Sequence, residues 1–192
     1  MKNIITIFCF FILIEPVMAV QNSSTEDTVT CDSPESRQFD FWIGDWDIQQ
    51  KIIKKDGTWL EAKAHTSVIL ILNGCALEEH WEGDVKFFWS GMQNFEHMKG
   101  FSIRYYNPQK KHWNLRWLDN RNLNMGSGYT GNFINGKGEF FIESKTANGK
   151  RISRITFSDI KENSVHWDLA FSKDDGKTWT TIWIMEMKRH KE

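Results

Sequence analysis

The segment Glu78-Glu79-His80-Trp81-Glu82 holds the residues best placed to do chemistry. A strand alternates its side chains between two faces, so Leu77, Glu79 and Trp81 share one face, with Glu78, His80 and Glu82 on the other. If the face bearing Leu77 and Trp81 turns into a core, Glu79 becomes a buried carboxylate. Such a group takes a raised pKa or finds an arginine or a hydroxyl. Arg104, Arg116 and Arg154, each in an expected strand, are the possible partners. Glu79 is therefore the candidate polar anchor or general acid/base. The plain alternative is a carboxylate satisfied by structural hydrogen bonds.

Other residues suit the walls of a binding site. Trp113, Leu115 and Trp117 fall on one strand face, opposite His112, Asn114 and Arg116. Trp179, Trp183, Met185 and Met187 fall on one face of a later strand. Indoles and thioethers offer large, adaptable apolar area, which suits a flat or greasy ligand. The same residues also fill any ordinary β core. The six histidines (His65, His80, His97, His112, His166 and His190) show no zinc-ligand spacing and no HExxH, so no metal is expected. No serine lies in G-x-S-x-G, and neither a phosphate loop nor a dinucleotide fingerprint is present. No cofactor is expected.

The elements that position these residues are strands. Turn signals recur at Asp56-Gly57, Asn73-Gly74, Asn107-Pro108, Asn135-Gly136, Asn148-Gly149, Glu162-Asn163 and Asp175-Gly176. Short alternating runs between them predict an antiparallel meander of about ten strands. These are 46–54, 59–72, 76–83, 101–107, 111–119, 122–133, 138–146, 151–159, 164–172 and 178–188. Closing the meander into an up-and-down barrel removes its two edges. Ten strands tilted about 40° give a backbone diameter of roughly 20 Å, enough for a slot if the tryptophans do not fill it. Ser33-Pro34 reads as a helix cap followed by proline, predicting a short helix within Glu35 to Trp42 that ends at Gly44. Gly83 to Gly100 holds Phe87, Phe88, Trp89, Met92, Phe95 and Met98, too apolar for a solvated loop. It reads as a lid hinged at Gly83, Gly91 and Gly100, with a partner-docking patch or a hairpin adding core as the alternatives.

Composition narrows the class. The chain has 192 residues, ten of them Trp, and 24 Lys+Arg against 25 Asp+Glu. A near-zero charge gives no electrostatic basis for binding nucleic acid. Forty per cent apolar residues exclude disorder and, at this length, support one domain. Lys2 followed by the apolar run Ile4 to Ile14, then Val17-Met18-Ala19, reads as a signal peptide over 1–19, too short for a stable membrane span. A polar leader (20–32) and a single barrel domain (33–192) follow. Export leaves Cys31 and Cys75 in an oxidising space, where two thiols usually pair. Free thiols or a metal pair are the alternatives.

Three motifs carry a resemblance. Phe39-Asp40-Phe41-Trp42 with Gly44 and Trp46 comes first, then Gly74-Cys75 running into Glu79-His80-Trp81, then Ser172 to Trp179 with Asp174, Asp175 and Gly176. From Cys31 onward the chain resembles a family of exported, lipocalin-like (calycin) domains of unknown function. The resemblance implies a secreted or periplasmic barrel floored by Trp42 and Trp46, with a Cys31–Cys75 disulfide. It implies no activity or catalytic residue. The third motif is also similar to the Asp-box hairpin of β-propellers, in which Asp174, Gly176 and Trp179 would be structural. His190 lies where nitrobindin-like barrels carry a haem histidine, but their Gly-rich signature is absent.

The leading functional expectation is a small hydrophobic or aromatic molecule held in the barrel. Its contacts are Glu79, Trp81, Arg104, Trp113, Trp117, Trp183 and Met185. The runner-up is an isomerase or cyclase using Glu79 to move a proton. A third reading is an interaction protein whose barrel is plugged.

Overall fold

The computed structural model describes residues 31–90, 92–146 and 149–191. The expected signal segment and all of the leader before Cys31 lie outside the described residues. The chain is all-β, and ten antiparallel strands form a closed barrel in which each pairs with its neighbours in sequence. They are β1 Gly44–Ile53, β2 Trp59–Ile71, β3 Ala76–Val85, β4 Glu96–Asn107, β5 His112–Asp119, β6 Tyr129–Ile134, β7 Lys137–Thr146, β8 Gly149–Lys161, β9 Ser164–Ser172 and β10 Thr180–Arg189. The seam closes where β10 pairs with β1, with Trp46 opposite Arg189 and Ile52 opposite Trp183.

Alternation selects the inner face. Trp46, Ile48, Gln50 and Ile52 of β1 are buried between exposed neighbours. On β3 the buried set includes Leu77, Glu79, Trp81 and Val85, the parity expected from the apolar residues.

One end of the barrel is solid. Two short 3-10 turns, Pro34–Arg37 and Asp40–Trp42, stand where the sequence predicts a short helix. The Ser33 side chain accepts from the Ser36 amide, as a cap should. Phe39 packs edge-on against Trp113, Phe133 and Phe157. Trp42 stacks on Trp46, whose indole N–H donates to the Trp42 carbonyl at 2.9 Å. Gly44 has φ +107, and a Cβ there would lie 2.8 Å from the Arg189 guanidinium that covers the Trp46 ring. A Cys31–Cys75 disulfide ties the start of this plug to the β2–β3 turn.

Several expectations need correction. β4 begins at Glu96 instead of 101, so the apolar crossover shrinks to the stretch between Val85 and Glu96. Gly83 and Gly100 are strand residues and not hinges. A Cβ on Gly83 would meet Ala64 at 2.5 Å, and one on Gly100 would meet the Trp117 ring at 2.0 Å. They provide room for packing. Gly91 lies outside the described residues. β6 begins at Tyr129 instead of 122, because Asp119 holds the chain in a turn by accepting the Arg121 and Asn122 amides.

Trp179 does not share the face of Trp183. Register shifts between Thr181 and Trp183, which breaks the period-two count. Trp179 lies against Phe141 and under the Arg154 guanidinium, and its indole donates to the Gly176 carbonyl. In the same hairpin Asp174 accepts from the Thr178 hydroxyl and amide and from the Ser172 hydroxyl. These bonds, the Thr178 hydroxyl foremost, hold the Asp174 carboxyl down at about 2.

Candidate functional site

Above the plug the barrel is hollow. The cavity measures about 330 Å³ and is lined mostly by rings and apolar chains. Trp81 of β3, Trp117 of β5, Trp167 of β9 and Trp183 of β10 form its walls with Met98, Met185 and Met187. Trp42 closes the base, and Phe87 and Trp89 of the β3–β4 crossover reach over the other end. Phe87 stacks on Trp89 and tilts against Trp183, centroids 4.8 Å apart in each pair. The crossover thus acts as a cover, shorter than the sequence predicts. Gln50 fixes one wall: its side-chain oxygen accepts the Trp183 indole N–H at 2.8 Å, while its amide donates to the Asp84 carbonyl.

Polar groups gather on one wall at the base. Glu79 Oε2 accepts from Arg104 Nη2 at 2.5 Å and from the Ser102 hydroxyl at 2.7 Å. Its Oε1 accepts from the Thr66 hydroxyl at 3.0 Å. Sheet register explains the grouping. Glu79 stands opposite Ser102 on β4 and opposite Val68 on β2, with Thr66 and Arg104 one inward position away along their strands. The Arg104 guanidinium also lies 5.3–5.4 Å from the ring centres of Phe39, Trp42 and Phe157. Burial lowers its pKa, and the Glu79 carboxylate opposes that shift. Among the described residues its Nε and Nη1 have no hydrogen-bond partner.

Of the three arginines the sequence offers Glu79, the barrel selects Arg104. Arg116 donates to the Gly126 carbonyl, and Arg154 lies over Trp179 near Glu139. Glu79, Trp81, Arg104, Trp117, Trp183 and Met185 all line the cavity. Trp113 belongs to the plug instead, with its indole donating to the Glu35 carbonyl. Sequence reasoning missed Thr66, Ser102 and Gln50. Their strand parity could have found them, since each is a polar residue at an inward position.

The wall is weakest beside β6. β5 and β6 share three register pairs, Trp113–Gly131 to Leu115–Tyr129, and diverge above them. Arg116, Asp119, Arg121 and Tyr129 line the cavity there. Burial raises the Tyr129 phenol to about 12, partly offset by its bond to Ser153. His190 is remote from the cavity and pairs with Asp47 on the outer surface.

No protein-family model matches the chain, and no curated protein matches it. Among solved structures, the S-type phycobiliprotein lyase CPES from Guillardia theta is similar in fold, with a TM-score of 0.50 and 11% sequence identity. The match covers 80% of this chain and 91% of that one. At that identity the likeness shows a shared lipocalin-like barrel and nothing finer.

Proposed function

We propose that this is an exported binding protein whose barrel holds one small, flat, hydrophobic or aromatic molecule. The open cavity of about 330 Å³, walled by indoles and thioethers above a buried Glu79–Arg104 pair, carries this reading. A volume of that size holds a small organic molecule. The apolar walls supply area, and Arg104, a cavity-lining charge paired with Glu79, is the group that would orient a ligand carbonyl or carboxylate. Glu79 has both oxygens committed to donors, which suits an orienting group better than a proton carrier. The hollow also speaks against a barrel plugged throughout, because the plug stops at Trp42. The structural neighbour is named a lyase, but the ligand here is read from this chain's own walls. Export is supported by the disulfide and by the apolar run Ile4 to Ile14 that reads as a signal peptide; among the described residues no helix is long and apolar enough to cross a membrane.

The test uses anilinonaphthalene sulfonate, an aromatic anion. Titration should quench tryptophan emission and saturate at one probe per chain. Leu115→Trp fills the cavity from a buried wall position and should abolish binding while far-ultraviolet circular dichroism and the cooperative unfolding transition stay native. Binding that survives in the filled variant would refute the cavity as the site.

A further inference from the structure

Outside the barrel, at its plugged end, three side chains far apart in sequence converge. Asp47 of β1 and His65 of β2 are direct register partners, which sets their Cβ atoms about 5 Å apart. His190 follows β10 and places Nδ1 at 3.0 Å from both Asp47 carboxylate oxygens. His65 Nδ1 lies 3.6 Å from Asp47 Oδ1, and its Nε2 lies 3.7 Å from Asp45 Oδ1. One ligating atom from each of Asp47, His65 and His190 falls within 4.8 Å of the others. A tetrahedral ion with bonds of about 2.0–2.1 Å needs such atoms about 3.3 Å apart, so small side-chain rotations complete the set.

The backbone beneath is held firmly. The Arg189 amide donates to the Asn163 carbonyl, and the His190 amide donates to the Asp45 carbonyl at 2.9 Å. The Arg189 side chain donates to the Ile43 and Phe41 carbonyls and covers the Trp46 ring. His190 is therefore held in place just beyond the end of β10.

We propose that Asp47, His65 and His190 form a binding site for one divalent cation of the Zn2+ class, a clasp across the β1–β10 seam. Two imidazoles and one carboxylate suit borderline transition ions, whereas Ca2+ and Mg2+ prefer an all-oxygen shell. Water or Asp45 completes the coordination. Lys188, opposite Asp47 on β10, is the cation the ion must compete with. This site lies outside the barrel cavity and is independent of the ligand proposed there.

Equilibrium dialysis of tag-free protein against Zn2+ tests the assignment. One ion should bind per chain, and more weakly by at least about tenfold for Mg2+ or Ca2+. The double variant His65→Ala/His190→Ala should lose the ion and any rise in melting temperature caused by Zn2+. A control, His80→Ala/His97→Ala, removes two other carboxylate-paired histidines and should keep both properties. Should the first double variant fail to fold, Asp47→Asn decides by the same two readouts. Zn2+ binding that persists without Asp47, or without both site histidines, overturns the clasp. So does equal loss in the control, or no Zn2+ bound by the unmutated protein.

Discussion

Arg104 is the only charged donor among the three that Glu79 accepts from, and both side chains are almost fully shielded from water. Removing one charge of such a pair leaves the other stranded at low dielectric. Glu79→Gln should therefore cost about 3–5 kcal/mol in denaturant unfolding. The double replacement Glu79→Gln/Arg104→Met should recover part of that loss, because no unpaired charge remains. Tyr129 gives a second residue-scale expectation. Its phenol titrates near 12 in the folded chain against 10.0 ordinarily, so folding favours the protonated form. That stabilisation is complete below pH 10 and is lost as pH rises toward 12. Absorbance titration at alkaline pH should show Tyr129 ionising late, and Tyr129→Phe should remove this part of the alkaline loss. Strand parity made the inward turn of Glu79 legible in the sequence. The choice of Arg104 over Arg116 and Arg154 was not legible, since it depends on which strands pair and in what register.

At the level of elements, packing between strands shapes the cavity more than any single wall residue. Gly100 of β4 lies beneath the Trp117 indole, which is held by its N–H bond to Asp119 Oδ2 at 3.0 Å. A methyl group at position 100 would collide with that ring. Gly100→Ala should cost about 1–3 kcal/mol by overpacking. It should also weaken binding of the naphthalene probe, read by fluorescence titration, because the displaced indole enters the cavity. The period-two runs revealed most strands to within a few residues. They failed where local bonds override alternation: at the Asp119 turn before β6, and at the bulge between Thr181 and Trp183 that sends Trp179 outward. A bulge inserts a residue without changing composition, so the sequence carries little trace of it.

Over the whole molecule, a plug and a hollow share one barrel, and the Cys31–Cys75 bond anchors the plug. Its loop spans a sequence separation of 44, for which chain entropy assigns roughly 3–4 kcal/mol. Cys31→Ser/Cys75→Ser should lower unfolding stability by about that amount, measured in guanidinium, while one-to-one probe binding persists. The amino-acid order by itself determined the all-β class, the number of strands and the faces they bury. Those properties follow from alternation, turn chemistry and capping, which act between residues close in sequence. Only the closed tertiary structure decided that the indoles stop short of filling the barrel, that Arg104 meets Glu79, and that His65 and His190 come together beside Asp47. Each of those outcomes depends on register between strands and on closure of β10 against β1, so it joins residues whose separation along the chain bears no relation to their distance in space.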